Sequence, residues 1–176
     1  MTRTDLEHLI RAAGSIADTR ELIIVGSQAI LGAFPNAPAE LTISQEADLY
    51  PADAPEKADL VDGSIGEKSP FHDTFGYYAH GVGPGTAILP AHWKTRLVRV
   101  QNQNTNAIAG LCLSPADLVV SKLAAGRDKD MDFVRALFRH RLLQPGEVEA
   151  LFPELEPSMR DTIRARLLRC VSSASR

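Results

Sequence analysis

Three features of this 176-residue chain predict an α/β fold of the α+β type, a mixed sheet flanked by helices with a helical carboxyl-terminal part. Short apolar or β-branched runs bounded by turn residues supply four or five strands between residues 22 and 113. Apolar residues at helical spacing (Leu6, Leu9, Ile10, Ala13) open the chain. Beyond Ser114 every periodic segment is helical. With 44% hydrophobic residues the chain can build one compact core and is too short for two large ones. The expected organisation is an α/β core over residues 1–113 with a helical part, residues 114–176, packed on it.

The elements follow in order. Thr4 can cap a first helix over residues 4–16, with Glu7 three positions on completing a capping box. Leu22, Ile23, Ile24 and Val25 form a strand that stops at Gly26-Ser27. A helix over about residues 27–34 ends in the break made by Pro35, Asn36 and Pro38. A second extended run covers residues 41–50, and Pro51 and Asp53 end it. Residues 53–63 are charged and helix-compatible, and residues 63–70 are loop-like. The aromatic, glycine-interrupted run over residues 75–82 suits a strand with a bulge or a close backbone approach. Gly83-Pro84-Gly85 turns the chain. Residues 96–100 and 107–113 supply two more strands around an Asn/Gln-rich turn. Ser114-Pro115-Ala116-Asp117 is a helix start with a capping Ser, Pro in the first position and an acid in the first turn. That helix runs to Ala125, where Gly126 ends it. Asp128 can cap the next, whose apolar stripe is Met131, Val134, Leu137, Phe138 and Leu142. A short segment near residues 148–152 and a helix over residues 157–171 finish the chain.

Chemistry concentrates in residues 21–51. Residues two apart on a strand share a face, so Glu46 and Asp48 present adjacent carboxylates while Ala47 points the other way. Such a pair repels unless a cation lies between its members. Mg²⁺, held by one or two carboxylates together with substrate phosphates, is the natural occupant, often as a metal pair about 3.5 to 4 Å apart. Gly26-Ser27, at the end of the preceding strand and the start of a helix, suits an anionic triphosphate, since glycine permits close approach and helix amides favour an anion. The plain alternative is an ordinary strand-to-helix turn beside the wet face of an edge strand.

Residues 121–130 form a second constellation. Lys122 shares a helix face with Leu118 and Val119, so its ammonium either snorkels to water or enters a pocket for a phosphate. Asp130 precedes Phe133 and Val134 by three and four positions and leans inward. It either pairs with Lys122 or Arg127 to dock two helices or belongs to a phosphate site in which those cations take part.

The net charge is −3, divided unevenly: residues 1–75 carry 5 basic and 13 acidic side chains, residues 76–176 carry 14 and 9. The carboxylates gather where the metal would bind. The arginines of the last third (Arg135, Arg139, Arg141, Arg160, Arg164, Arg166, Arg169) offer either a surface for a polyanion such as RNA or a solvated helix face. The two cysteines, Cys112 and Cys170, have neither metal-ligand nor disulfide spacing. No apolar run approaches a membrane span and the amino terminus lacks a signal-peptide core, so a cytoplasmic protein without membrane contact is expected. The histidines show no zinc pattern, and neither a Gly-x-Ser-x-Gly elbow nor a P-loop lysine is present.

The combination of Gly26-Ser27-Gln28-Ala29, Glu46-Ala47-Asp48-Leu49-Tyr50-Pro51, the strand from Gly76 to Gly83, Leu89-Pro90 with Trp93-Lys94 and Arg96, and Lys122 through Asp130 resembles a bacterial family of nucleotidyltransferase-like proteins without a settled function, similar to the AbiEii-type toxins of abortive-infection toxin–antitoxin systems. The likeness covers about residues 20–143. It implies a nucleotidyltransferase-like sheet in which Gly26 and Ser27 hold a nucleoside triphosphate, Glu46 and Asp48 the metal, and Lys122 a phosphate. Two departures stand out. The first metal carboxylate, usually Asp, is Glu46, and the third acid expected on a neighbouring strand has no clear match: His80 occupies the region and Asp73 lies just before it. His80 is either a general base, suited by an unperturbed pKa of about 6.5, or a residue lining the cleft. Two functions follow: transfer of a nucleotide to an RNA or protein hydroxyl, or a non-catalytic module with an eroded metal site that serves as a partner in a toxin–antitoxin or regulatory pair.

Overall fold

The structure, a computed structural model, describes residues 1–174. Its centre is a five-stranded sheet of β1 (Glu21–Ile24), β2 (Glu46–Pro51), β3 (Tyr78–Gly81), β4 (Val98–Val100) and β5 (Ala109–Cys112), in the order β3-β2-β1-β5-β4. The sheet is mixed: β1 runs antiparallel to β2 and parallel to β5, β3 is parallel to β2, and β4 is antiparallel to β5. Central β1 is apolar throughout its buried length because both its faces are covered.

One face is closed by α1 (Arg3–Ala17) and α3 (Ala58–Ile65). Small residues permit that closure. A side chain at Gly110 would strike Ile10 of α1, and one at Gly81 would strike the Ala58 carbonyl of α3. Ala47, Leu49 and Ala79 lie on this face and are fully buried. The opposite face of β2 and β3 carries Glu46, Asp48, Tyr78 and His80.

The helical part comprises α5 (Pro115–Ala125), α6 (Asp128–Arg139), α7 (Pro145–Glu149) and α8 (Pro157–Ala174). These helices pack on one another and reach the rest of the chain where α5 meets the turn after β1 and α6 meets residues 39–41. A charged clamp adds to the join: Arg96 pairs with the fully buried Asp117 at 2.8 Å and with Glu154 at 3.0 Å. Buried apolar residues from α1, the sheet and α5 to α8 form one continuous core.

Several boundaries differ from expectation. The first helix is capped by Thr2, which forms a capping box with Asp5. Glu7 does not serve Thr4. It is buried and accepts hydrogen bonds from Arg3, Asn102 and Asn104, which fixes the 101–106 turn against α1. The helix expected over residues 27–34 is a 3-10 turn, Ser27–Ala29, followed by the single-turn α2 (Ile30–Ala33), and the extended stretch before β2 contains another 3-10 turn, Ala39–Leu41. Pro70–Phe75 is a helix, α4, capped by Ser69, where a loop and the start of a strand were expected. Arg127, extended and without a side-chain cap, precedes α6, so Asp128 is its first helical residue and not its cap. Among the described residues no helix is long and apolar enough to cross a membrane.

Candidate active site

The last residues of β1 lead into a turn whose composition is set by space. Gly26 has an ordinary extended backbone (φ −79°), so its conformation does not demand glycine. Its neighbour does: a Cβ there would lie 2.0 Å from Asp48 Oδ2. The absent side chain lets the Asp48 carboxylate sit directly on the turn, and the Val25 amide donates to the Asp48 carbonyl at 3.0 Å.

Register does the rest. Because β2 and β3 are parallel neighbours, Glu46 stands beside Tyr78 and Asp48 beside His80. The Tyr78 hydroxyl donates to Glu46 Oε2 at 3.0 Å. His80 Nδ1 lies 2.9 Å from Asp48 Oδ1 and 3.9 Å from Glu46 Oε1. One potential ligand atom from each of Glu46, Asp48 and His80 falls within 4.8 Å of the other two. Burial and the neighbouring Glu46 charge push the Asp48 carboxyl above the ordinary carboxylate range, a rise partly offset by the hydrogen bond to His80. Burial and the acceptor Glu46 push the Tyr78 phenol up to about 12, so it stays a donor at neutral pH.

The facing wall comes from α5 and α6. Lys122, 9% exposed, donates to Ser27 Oγ at 2.8 Å and pairs with Asp130 Oδ1 at 3.0 Å, its ammonium 5.4 Å from the Phe133 ring centre. An ammonium has three N–H donors, and these two partners leave one. Arg127 grips the other Asp130 oxygen through Nε at 2.7 Å while most of its side chain stays exposed. Asp130 is wholly buried. Burial alone would raise its carboxyl, but the bonds from Arg127 and Lys122 prevail and hold it below the usual range. The helix-docking ion pair and the cleft-facing lysine are thus one arrangement.

Between the walls lies a cleft of about 750 Å³, bordered by Ser27, Glu46, Asp48, His80, Lys122 and Arg127, with Arg135 and Arg139 farther along α6. A side pocket of about 150 Å³ adds Gly26 and Thr86 to Asp48, Lys122 and Arg127. The larger volume suits a bound small molecule. Gly26, Ser27, Glu46, Asp48, His80, Lys122 and Arg127, the metal, phosphate and base candidates of the sequence, all border this cleft or its side pocket. A family model described as nucleotidyltransferase of unknown function (DUF6036) matches residues 4–170. The chain belongs to that family. No curated protein and no solved structure matches it.

Sequence reasoning passed over Tyr78, which bonds Glu46, and Thr86, which borders the cleft. Tyr78 carried a usable signal, because it is two positions before His80 and must share its face. Thr86 sits in the 3-10 turn Pro84–Thr86, and no local pattern marks it. Asp73, the other acid near β3, is exposed in α4 and does not border the cleft. Of the carboxyl-terminal arginines, several are spent inside the fold: Arg166 donates to the Leu123 and Ala124 carbonyls at the end of α5, and Arg160 to those of Leu155 and Pro153. Arg139 borders the cleft and, with His140, binds Glu40.

Proposed function

We propose that this protein is a metal-dependent nucleotidyltransferase that moves a nucleoside monophosphate from a nucleoside triphosphate to a hydroxyl group of an RNA or a protein. The observation that supports it best is the opposition of two walls: Glu46 and Asp48 on one, Lys122 and Arg127 on the other, with Ser27 bonded to Lys122. The donor set suits a divalent cation. Two carboxylates share one face, and burial together with the neighbouring Glu46 charge raises the Asp48 carboxyl, so a positive charge between them would offset both. Glu46 and Asp48 would hold the ion, which when bound neutralises phosphate charge as it shifts in the reaction. On the carboxylates alone that ion is Mg²⁺.

The remaining work falls to the chain. Lys122 keeps one donor free and is fixed by Ser27 and Asp130, so it meets the phosphate chain preorganised and pays little entropy on binding. Arg127, anchored through Nε, directs its exposed guanidinium toward the same anion. The acceptor hydroxyl forms a bond to the α-phosphorus, the bond from phosphorus to the pyrophosphate oxygen breaks, and the hydroxyl proton leaves through the open mouth of the cleft. His80 Nδ1 is engaged with Asp48, so a role as base would have to use Nε2.

The test is incorporation of α-phosphate-labelled nucleotide into total RNA and candidate partner proteins, comparing wild type with Asp48→Asn at equal cation concentration. Labelling that requires Asp48 is expected. Equal labelling by both would place the activity elsewhere. Glu46 and His80, departing from a pair of aspartates and a third acid, favour a second reading, in which the fold binds a partner in an AbiEii-like toxin–antitoxin pair without catalysis. Labelling by neither protein, with no thermal shift on adding nucleotide and cation, would put that reading ahead.

A further inference from the structure

We propose that His80 Nδ1 is the third protein ligand of the cation and that it turns the site from Mg²⁺ toward a first-row transition cation of the Mn²⁺ kind, an inference that rests on the nucleotidyltransferase reading. Strand register makes the case. In the parallel pair β2 and β3, the residue beside Asp48 is His80, and its Nδ1 approaches both carboxylates, at 2.9 and 3.9 Å. In an octahedron with metal–donor bonds of about 2.1 Å, cis donors stand about 3.0 Å apart and trans donors about 4.2 Å. The distances from Nδ1 fall in that range without rearrangement of the strands.

Chemistry then selects the ion. Two carboxylates and one imidazole make a mixed oxygen and nitrogen set. Mg²⁺ is a hard ion that prefers oxygen and sheds water reluctantly. Mn²⁺ accepts carboxylates equally well, and imidazole suits transition cations generally. Histidine in place of a third acid therefore changes the ligand without removing it. Glu46 fits the same scheme. Its extra methylene adds a torsion, and the Tyr78 hydroxyl bond to Oε2 restrains it, leaving Oε1 on the His80 side. Tyr78 is accordingly a positioning residue. Ligation through Nδ1 requires the Nε2–H tautomer, so His80 has no free lone pair for accepting a proton and is a ligand, not a base.

The experiment uses the full chain without nucleotide. Mn²⁺ is titrated while the electron-spin signal of free Mn²⁺ is followed, Mg²⁺ is used as competitor, and pulsed spectra of the bound ion are inspected for coupling to a nitrogen-14 nucleus. Wild type is expected to bind Mn²⁺ at least tenfold more tightly than Mg²⁺ and to show the coupling. His80→Ala should lose the coupling and the preference. His80→Asp should also lose the coupling yet keep both ions, with the preference shifted toward Mg²⁺. His80 is half exposed, so both variants should fold, and thermal melts check this. Absence of nitrogen coupling in wild type, or its survival in His80→Ala, overturns the proposal. If Mg²⁺ and Mn²⁺ bind alike without coupling while nucleotide binding still depends on Asp48, only this inference fails. If Asp48→Asn binds Mn²⁺ as wild type does, the carboxylate site and the functional reading fail together.

Discussion

At Gly26 a single hydrogen atom in place of a side chain sets the position of Asp48. Gly26→Ala places a methyl group 2.0 Å from Oδ2, and the carboxylate must swing away. Overpacking of this kind costs about 1 to 3 kcal/mol, so a loss of that size in chemical denaturation is expected, with at least tenfold weaker cation binding. Unchanged cation affinity would show that Asp48 is not held by the turn. The sequence made Gly26 legible as a point of close approach. It did not disclose that the approaching group is Asp48, because that contact joins residues 22 positions apart on neighbouring segments. Asp48 itself gives a second expectation. A carboxyl whose folded-state pKa is raised weakens folding in full above the raised value, and the penalty is relieved as the pH falls from there to the unfolded value. In the absence of cation at pH 7, Asp48→Asn should therefore melt higher than wild type while losing the stabilisation that added cation gives wild type. A lower melting temperature for the metal-free variant would show that burial and the Glu46 charge do not penalise the Asp48 carboxylate.

Among the elements, β2 and the start of α5 were plain in the sequence because each is a local rule: alternation in one, Ser-Pro-x-Asp capping in the other. The start of α4 uses the same rule at Ser69-Pro70, with Ser69 accepting from the His72 amide. Neighbouring glycines and serines concealed it, and the aromatic residues that follow are compatible with a strand. The turn after β1 was misjudged for a different reason: apolar residues 29–31 suit a helix, yet Phe34-Pro35 cuts it to one turn, and little macrodipole accrues over so short a length. Under the proposed function the burden of meeting a phosphate thus moves to Lys122 and Arg127, and with it the importance of the α5–α6 join. Asp130→Ala leaves Lys122 buried without its counter-charge, for which a loss of about 3 kcal/mol is expected. The same carboxylate makes the join sensitive to acid. Its folded-state pKa lies below the unfolded value of about 3.9, so its contribution is complete above that value and fades as pH falls through the lower one. Melting temperatures of wild type and Asp130→Asn should consequently converge between about pH 5 and pH 2, and a constant gap over that range would deny the ion pair its role.

For the molecule as a whole, the decisive arrangement is that the cleft lies between the sheet and α6 while one apolar core runs beneath both. The Arg96 clamp to Asp117 and Glu154 fastens the segment before β4 to α5 and to the turn before α8. Neither the join nor the uneven use of the arginines could be read from sequence, since Arg96 and Glu154 are 58 positions apart and Arg166 looks no different there from the cleft-facing Arg139. A ligand that touches both walls should therefore stabilise the entire chain. A nucleoside triphosphate with its cation at 100 times the dissociation constant adds about 2.7 kcal/mol, and a domain of this size gains about 2 to 4 °C per kcal/mol, so a single melting transition should rise by about 5 to 10 °C. Lys122→Ala, lacking a cation on one wall, should show a markedly smaller rise with triphosphate and cation together. Its response to the cation alone should match wild type, because Glu46, Asp48 and His80 remain. If the transition instead splits and only its earlier part moves with ligand, the sheet and the helical part unfold separately, and binding across the cleft cannot be what couples them.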